Sequence, residues 1–165
     1  KELGLDDTEA ENLFQRYHAK VPFIRALQDQ CARVAMDRGY IKTFAGRHCR
    51  FNLWEDRYKR TMPLPFEEAK ERYGDTLKRS YTYKALNRLI QGSAADMTKL
   101  AMLGLWEEGI VPHLQVHDEV DISIENTLQG KRIVEIMENC VKLTVPLLVD
   151  MEVGPSWGEI KEIKK

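Results

Sequence analysis

Apolar residues return every three or four positions through the N-terminal part of the chain. Leu13, Phe14 and Tyr17 do so after the acidic stretch Leu5-Asp6-Asp7-Thr8-Glu9-Ala10-Glu11, and Phe23, Ile24, Leu27, Cys31, Val34 and Ala35 do so after Pro22. That period predicts two helices. Thr8 with Glu11 three residues later fits a capping box, and acids suit a first turn. Pro22 suits the opening of the second helix, and Arg38-Gly39 its close. From Tyr40 to Phe44 the pattern changes to alternation rich in β-formers, and Ala45-Gly46-Arg47 predicts a turn into a second strand ending near Phe51. Between Asn52 and Ser80 no period holds. Pro63, Pro65 and Gly74 interrupt the stretch, which reads as a long surface insertion with one short helix over Phe66 to Tyr73.

Helical spacing resumes from Thr82 to Gly109. Leu86, Leu89 and Ile90 share one side of the first half, and Met97, Leu100, Ala101, Leu105 and Trp106 mark the second. Small residues at 92–95 and at Gly104 permit close approach of another backbone. Two strands follow, Val111 to Val116 and Val120 to Ile124. Asn126 predicts the cap of a helix through Val141, and Leu147 to Val153 reads as a last strand ended by Gly154-Pro155-Ser156. Hairpins imply antiparallel pairing, so the class is α+β, an antiparallel sheet packed against helices.

Composition changes this picture little. A chain of 165 residues suits one domain with a sizeable core, and no apolar run reaches the length of a membrane span, about 18 residues. The start, Lys1-Glu2-Leu3-Gly4, has neither an initiator Met nor a signal-peptide pattern, so the chain is expected to begin inside something larger. Cys31, Cys49 and Cys140 are odd in number and far apart. They suggest free thiols in a reducing cytosol rather than a zinc site or a disulfide framework. Net charge is −1, from 25 basic and 26 acidic residues, so any nucleic-acid contact must come from a local patch. Arg47, His48, Arg50, Arg57, Lys59 and Arg60 supply one candidate; a solvated loop is the plain alternative.

Two features carry chemistry. The junction between the central strands is His117-Asp118-Glu119, without the glycine usual in a tight hairpin. Two adjacent carboxylates repel unless something positive sits with them, and carboxylate oxygens are natural ligands of a hard cation such as magnesium. Spacing alone slightly favours an ordinary polar turn. Lys84, Asn87, Arg88 and Gln91 recur at three and four, opposite the Leu86, Leu89 and Ile90 stripe. Amides and bases on one face suit phosphates and minor-groove base edges; a solvated face is the alternative.

These pieces occur in a fixed order: Asn87-Arg88-Leu89-Ile90-Gln91-Gly92-Ser93-Ala94-Ala95-Asp96, then Leu114-Gln115-Val116-His117-Asp118-Glu119, then Val145-Pro146-Leu147 and Gly154-Pro155-Ser156-Trp157. Together they resemble the family A DNA polymerases, the DNA polymerase I family. Gly39 to Arg47 is similar to the hairpin that follows that family's fingers, and the likeness extends from Lys1 to about Lys161. The resemblance implies a palm in residues 39–165, with 52–80 inserted, and a partial helical fingers segment in 1–38. It implies a DNA-directed DNA polymerase acting on primer-template DNA and deoxynucleoside triphosphates, in the cytoplasm of a bacterial or phage-infected cell. Asp118 would be a metal ligand in a two-magnesium site, with a second aspartate outside this chain, and Glu119 would be a neighbouring acid. His117 would touch the primer backbone near its end. Asn87 and Gln91 would touch the template-primer, and Arg47 the DNA backbone, with Lys84 and Arg88 beside them.

Departures stand beside the likeness. Tyr83 occupies a position where the family often has Arg, and Lys84 is the candidate substitute. The 52–80 segment is longer than in typical bacterial members and leans towards a phage-like polymerase. The partner aspartate and the nucleotide-binding helix fall before Lys1 in this family, so this chain is expected to be inactive without the remainder of the polymerase. A non-catalytic primer-template-binding module is the runner-up. A metal-dependent nuclease using Asp118 and Glu119 ranks below it.

Overall fold

Asp6 starts the first helix. Its carboxylate accepts from the Glu9 amide at 2.8 Å, and the Glu9 carboxylate accepts from the Asp6 amide at 3.0 Å. The capping box therefore uses Asp6 and Glu9, not Thr8 and Glu11. Both pairs satisfy the same spacing, and the earlier one lets the helix begin sooner. The computed structural model describes residues 4 and 6–162. Two compact units divide the chain, Lys1–Gln91 and Gly92–Lys165.

In the first unit α1 spans Asp7–Lys20 and α2 spans Pro22–Arg38, with Pro22 in its first turn. Gly39 closes α2 in the left-handed region, φ 76°, donating to the Ala35 carbonyl. The hairpin β1 (Tyr40–Lys42) and β2 (His48–Arg50) follows as the alternation predicts. Thr43 holds its turn: its amide donates to the Arg47 carbonyl at 2.9 Å, and its Oγ1 accepts from the Arg47 amide at 3.1 Å. Cys31 and Ala35 from α2, Ile41, Phe51 and Ala85 form the core here. Burial in that core pushes the Cys31 thiol up, which keeps it protonated.

The stretch without a period is ordered. It contains β3 (Leu53–Asp56), β4 (Leu64–Pro65), α3 (Phe66–Tyr73) and β5 (Leu77–Arg79), with β3 paired antiparallel to both other strands. The helix lies where it was expected. The strands were not foreseen, because two to four residues are too few for alternation to show. Arg79 ties this sheet to the rest of its unit. Its Nε donates to the Met36 carbonyl at 3.1 Å, its Nη1 donates to the Phe51 carbonyl at 3.0 Å, and its guanidinium lies 4.4 Å from the Trp54 ring centre.

The long helix α4 spans Ala85–Glu107, after a 3-10 turn at Thr82–Lys84, and supplies its later turns to the second unit. There Leu105 is fully buried, and a Cβ on Gly104 would lie 3.0 Å from Ile136 of α5 (Thr127–Asn139). The small residue thus admits a neighbouring helix. Asn126 caps α5 as expected, accepting from the Gln129 amide at 3.0 Å. The strands β6 (Leu114–Val116) and β7 (Glu119–Asp121) are shorter than the apolar runs that announced them. The expected strand from Leu147 to Val153 reduces to β8 (Glu152–Val153), paired with β9 (Lys161–Glu162). Beside that pair a Cβ on Gly154 would meet the Glu159 carbonyl at 2.1 Å, so the close backbone approach there needs glycine. The class is α+β; among the described residues the strands form four separate antiparallel sheets.

Two expectations follow. Arg79→Ala removes two hydrogen bonds and a ring contact at once and should cost about 2–3 kcal/mol of stability by chemical denaturation; a loss under about 0.5 kcal/mol, the scale of an ordinary surface change, would deny the clamp. Asp56 has a carboxyl held below its ordinary range, first by the amides of Tyr58 and Lys59. A depressed folded value means stabilisation that is present above the unfolded value, about 3.9, and lost as pH falls through the folded one. The stability gap between parent and Asp56→Asn should therefore be full near neutrality and shrink on acidification below about pH 4. A gap that stays constant in urea titrations across that range would contradict it.

Candidate nucleic-acid and metal site

The hairpin of the second unit pairs Leu114 with Asp121, Gln115 with Val120 and Val116 with Glu119. Only His117 and Asp118 remain in the turn. The expected three-residue tip is thus a two-residue one, and Glu119 opens β7. His117 takes φ 56°, one of two non-glycine residues with positive φ among those described. A two-residue hairpin needs such a backbone at its first turn position, where glycine is usual. Histidine tolerates it at a cost of about 1 kcal/mol. The Gln115 side-chain amide donates to the His117 carbonyl and holds the turn. The amide of His113 donates to the Asp121 carbonyl at 2.9 Å, and its ring pairs with Ser123 Oγ at 2.9 Å, stiffening the base of the hairpin.

His117, Asp118 and Glu119 are all exposed. Asp118 and Glu119 line an open groove of about 1010 Å³, and Asp121 lines it too. Met97, Ile133 and Met151 give the same groove an apolar side. Asp121, half-buried on β7, is not among the residues that the sequence pattern singles out. The donors suit a hard cation such as magnesium, since carboxylate oxygens are its preferred ligands. Among the described residues no three His, Cys, Asp or Glu side chains gather closely enough to hold a metal by themselves.

In the first unit the polar face of α4 divides. Asn87 and Gln91 are exposed, and Leu86 and Leu89 pack on the core behind them. Ile90, expected in that stripe, is 58% exposed; it lies on the side of the stripe nearest Asn87 and turns outward. Arg88 is half-buried. Its Nη1 donates to the Arg50 carbonyl at 3.1 Å, and its guanidinium lies 4.7 Å from the Phe51 ring centre. Arg88 thereby anchors β2 to α4. Lys84 sits in the 3-10 turn with Nζ 5.0 Å from the Tyr81 ring and 5.7 Å from the Tyr83 ring, so the two tyrosines position it. Arg47 is exposed on the β1–β2 turn.

A family model described as DNA polymerase family A matches residues 1–159. A DNA-directed DNA polymerase of Pseudomonas phage M6 is 38% identical over 150 residues, covering 91% of this chain and 20% of that protein. The thermostable DNA polymerase I of Thermus filiformis is 34% identical over 169 residues, covering 98% of this chain and 18% of its own length. Among solved structures, the POL domain of Pol1 from M. smegmatis, in complex with DNA primer-template and dNTP, superposes with a TM-score of 0.63 at 26% identity, covering 88% of this chain and 24% of that one. The chain spans about a fifth of the length of the curated relatives it matches. Among the described residues no helix is long and apolar enough to cross a membrane.

Proposed function

The chain belongs to DNA polymerase family A, and on that premise we propose that it is the C-terminal portion of a DNA-directed DNA polymerase that extends a primer 3′-hydroxyl with magnesium. The observation that carries this reading is the Asp118 turn: a carboxylate on a tight, non-glycine hairpin, opening onto a groove, in a chain that the family matches almost throughout.

Asp118, with an aspartate from elsewhere in the polymerase and Glu119 as a neighbouring acid, would hold the metal, which when bound supplies positive charge to the attacking and leaving oxygens. Asp118 sits on a turn whose backbone is held by the β6–β7 pairing and the Gln115 side chain. His117, beside it, would meet the primer backbone. Asn87 and Gln91, exposed on α4, would read pair shape along the minor groove, where acceptors occupy similar places in every correct pair. Arg47 and Lys84 would add sequence-independent affinity through phosphates. Arg88 would act chiefly by keeping β2, and with it the Arg47 turn, on α4. In this reading residues 1–38 belong to the fingers and 39–165 to the palm, and primer-template DNA, deoxynucleoside triphosphates and the remainder of the polymerase chain are the partners.

In the polymerase that contains this chain, Asp118→Ala should reduce primer extension at least about 100-fold, since a metal ligand contributes several kcal/mol to the barrier. Near-normal extension would sink the metal assignment. The 165-residue chain alone should add no nucleotide to a labelled primer. Incorporation on a sequencing gel would refute the dependence on a second aspartate elsewhere.

A further inference from the structure

The β3–β4 loop carries Arg57-Tyr58-Lys59-Arg60 at its tip, and the polymerase reading above leaves it without a task. All four residues are exposed, and Tyr58 is 79% exposed. Among the described residues, no aromatic or cation contact is made by its ring. An aromatic side chain left so open on a floppy loop would mean little. This loop is fixed from both sides.

Asp56 is buried beneath the tip. Its Oδ1 accepts from the amides of Tyr58 at 2.7 Å and Lys59 at 2.8 Å, and its own amide donates to Thr61 Oγ1 at 3.0 Å. The Arg57 amide donates to the Thr76 carbonyl at 2.9 Å, which carries the β3–β5 ladder one step into the loop. On the far side, the Tyr73 hydroxyl donates to the Met62 carbonyl at 2.9 Å.

The same bonds sort the charges. Glu55 turns to the sheet, where it pairs with Lys78 at 3.4 Å and accepts from Ser80 at 2.9 Å. Asp56 is consumed by backbone amides. The two acids beside the tip are thus engaged within their own unit, while Arg57, Lys59 and Arg60 flank the open Tyr58 ring along the chain and are all exposed. Like charges so close repel each other, and a polyanion relieves that repulsion. The surrounding unit has the same bias: residues 1–91 hold 18 Lys and Arg against 13 Asp and Glu.

We propose that the Arg57-Tyr58-Lys59-Arg60 tip, held rigid by Asp56, is an accessory binding site for single-stranded nucleic acid, with phosphates on the three cations and a base stacked on Tyr58. Cations that follow a backbone, interleaved with an exposed ring, are the means by which proteins grip single strands irrespective of sequence. The proposal rests on the polymerase reading for its substrate, because a polymerase meets unpaired template. It does not use Asp118 or the α4 face.

Fluorescence anisotropy of the 165-residue chain with a labelled oligothymidylate tests it. Tyr58→Ala should weaken binding roughly tenfold, the scale of one lost base stack, while Tyr58→Phe keeps it. The triple variant Arg57→Ala, Lys59→Ala, Arg60→Ala should lower the slope of log affinity against log salt by about 2, as three lost phosphate contacts require. Circular dichroism checks that each variant is folded; these side chains are exposed, so it should be. Parent affinity in both variants overturns the proposal and leaves the polymerase reading intact. A parent chain that binds no oligothymidylate also overturns it, while primer extension by the Asp118 pair reads the catalytic assignment separately. Displacement by polyglutamate as effective as by unlabelled oligothymidylate overturns it in favour of an acidic protein surface.

Discussion

The Arg79 guanidinium is the contact on which the first unit depends. It bonds one carbonyl in the last turn of α2 and one at the end of β2, and it lies over the Trp54 ring in β3. The last carbonyls of a helix carry negative partial charge and lack helical partners, so a planar cation with several donors suits them well. That choice dictates the residue beside it. A Cβ at Gly39 would stand 2.7 Å from the guanidinium carbon, and the backbone there is left-handed as well. Glycine is required twice over, by space and by φ. The chain then enters β1 at a fixed angle. The Arg47 turn and the tip of the β3–β4 loop both project from strands whose bases this one side chain gathers.

Helices were legible because their signals are repeated over many residues. Phe66–Tyr73 and Asn126 with α5 lie where spacing and caps put them. Short strands gave too little repetition. β3, β4 and β5 hold two to four residues each, and their sheet is secured by Arg79, Trp54 and Asp56 rather than by a long alternating face. Polar clamps of this sort leave no period in a sequence. The first capping box shows a different limit: Asp6-Glu9 and Thr8-Glu11 satisfy one rule, and only the positions of the amides choose between them.

The hairpin that carries the candidate site was legible to the same degree. Asp118 and Glu119 stood out because a hairpin without glycine needs a reason, and the left-handed His117 supplies the physical form of that anomaly. That backbone is what a two-residue hairpin requires at its first turn position, so it accounts for the form of the turn. Arg88 shows what spacing cannot give. It shares a helix face with Asn87 and Gln91, yet its long side chain reaches back to Arg50 and Phe51. A helical wheel locates a Cβ; it does not locate a guanidinium several bonds further on.

The whole-chain charge conceals a difference between the two units. A net charge of −1 suggests indifference to nucleic acid. Yet residues 1–91 carry 18 basic against 13 acidic residues, and residues 92–165 carry 7 against 13. The average conceals a basic unit and an acidic one. The basic unit bears Arg47, Lys84 and the 57–60 tip; the acidic unit bears Asp118, Glu119 and Asp121. A nearly neutral chain is thus built of two stretches of opposite charge bias. The engagement of Glu55 and Asp56 within their own unit, beside the exposed basic tip, repeats that bias at the scale of a single loop.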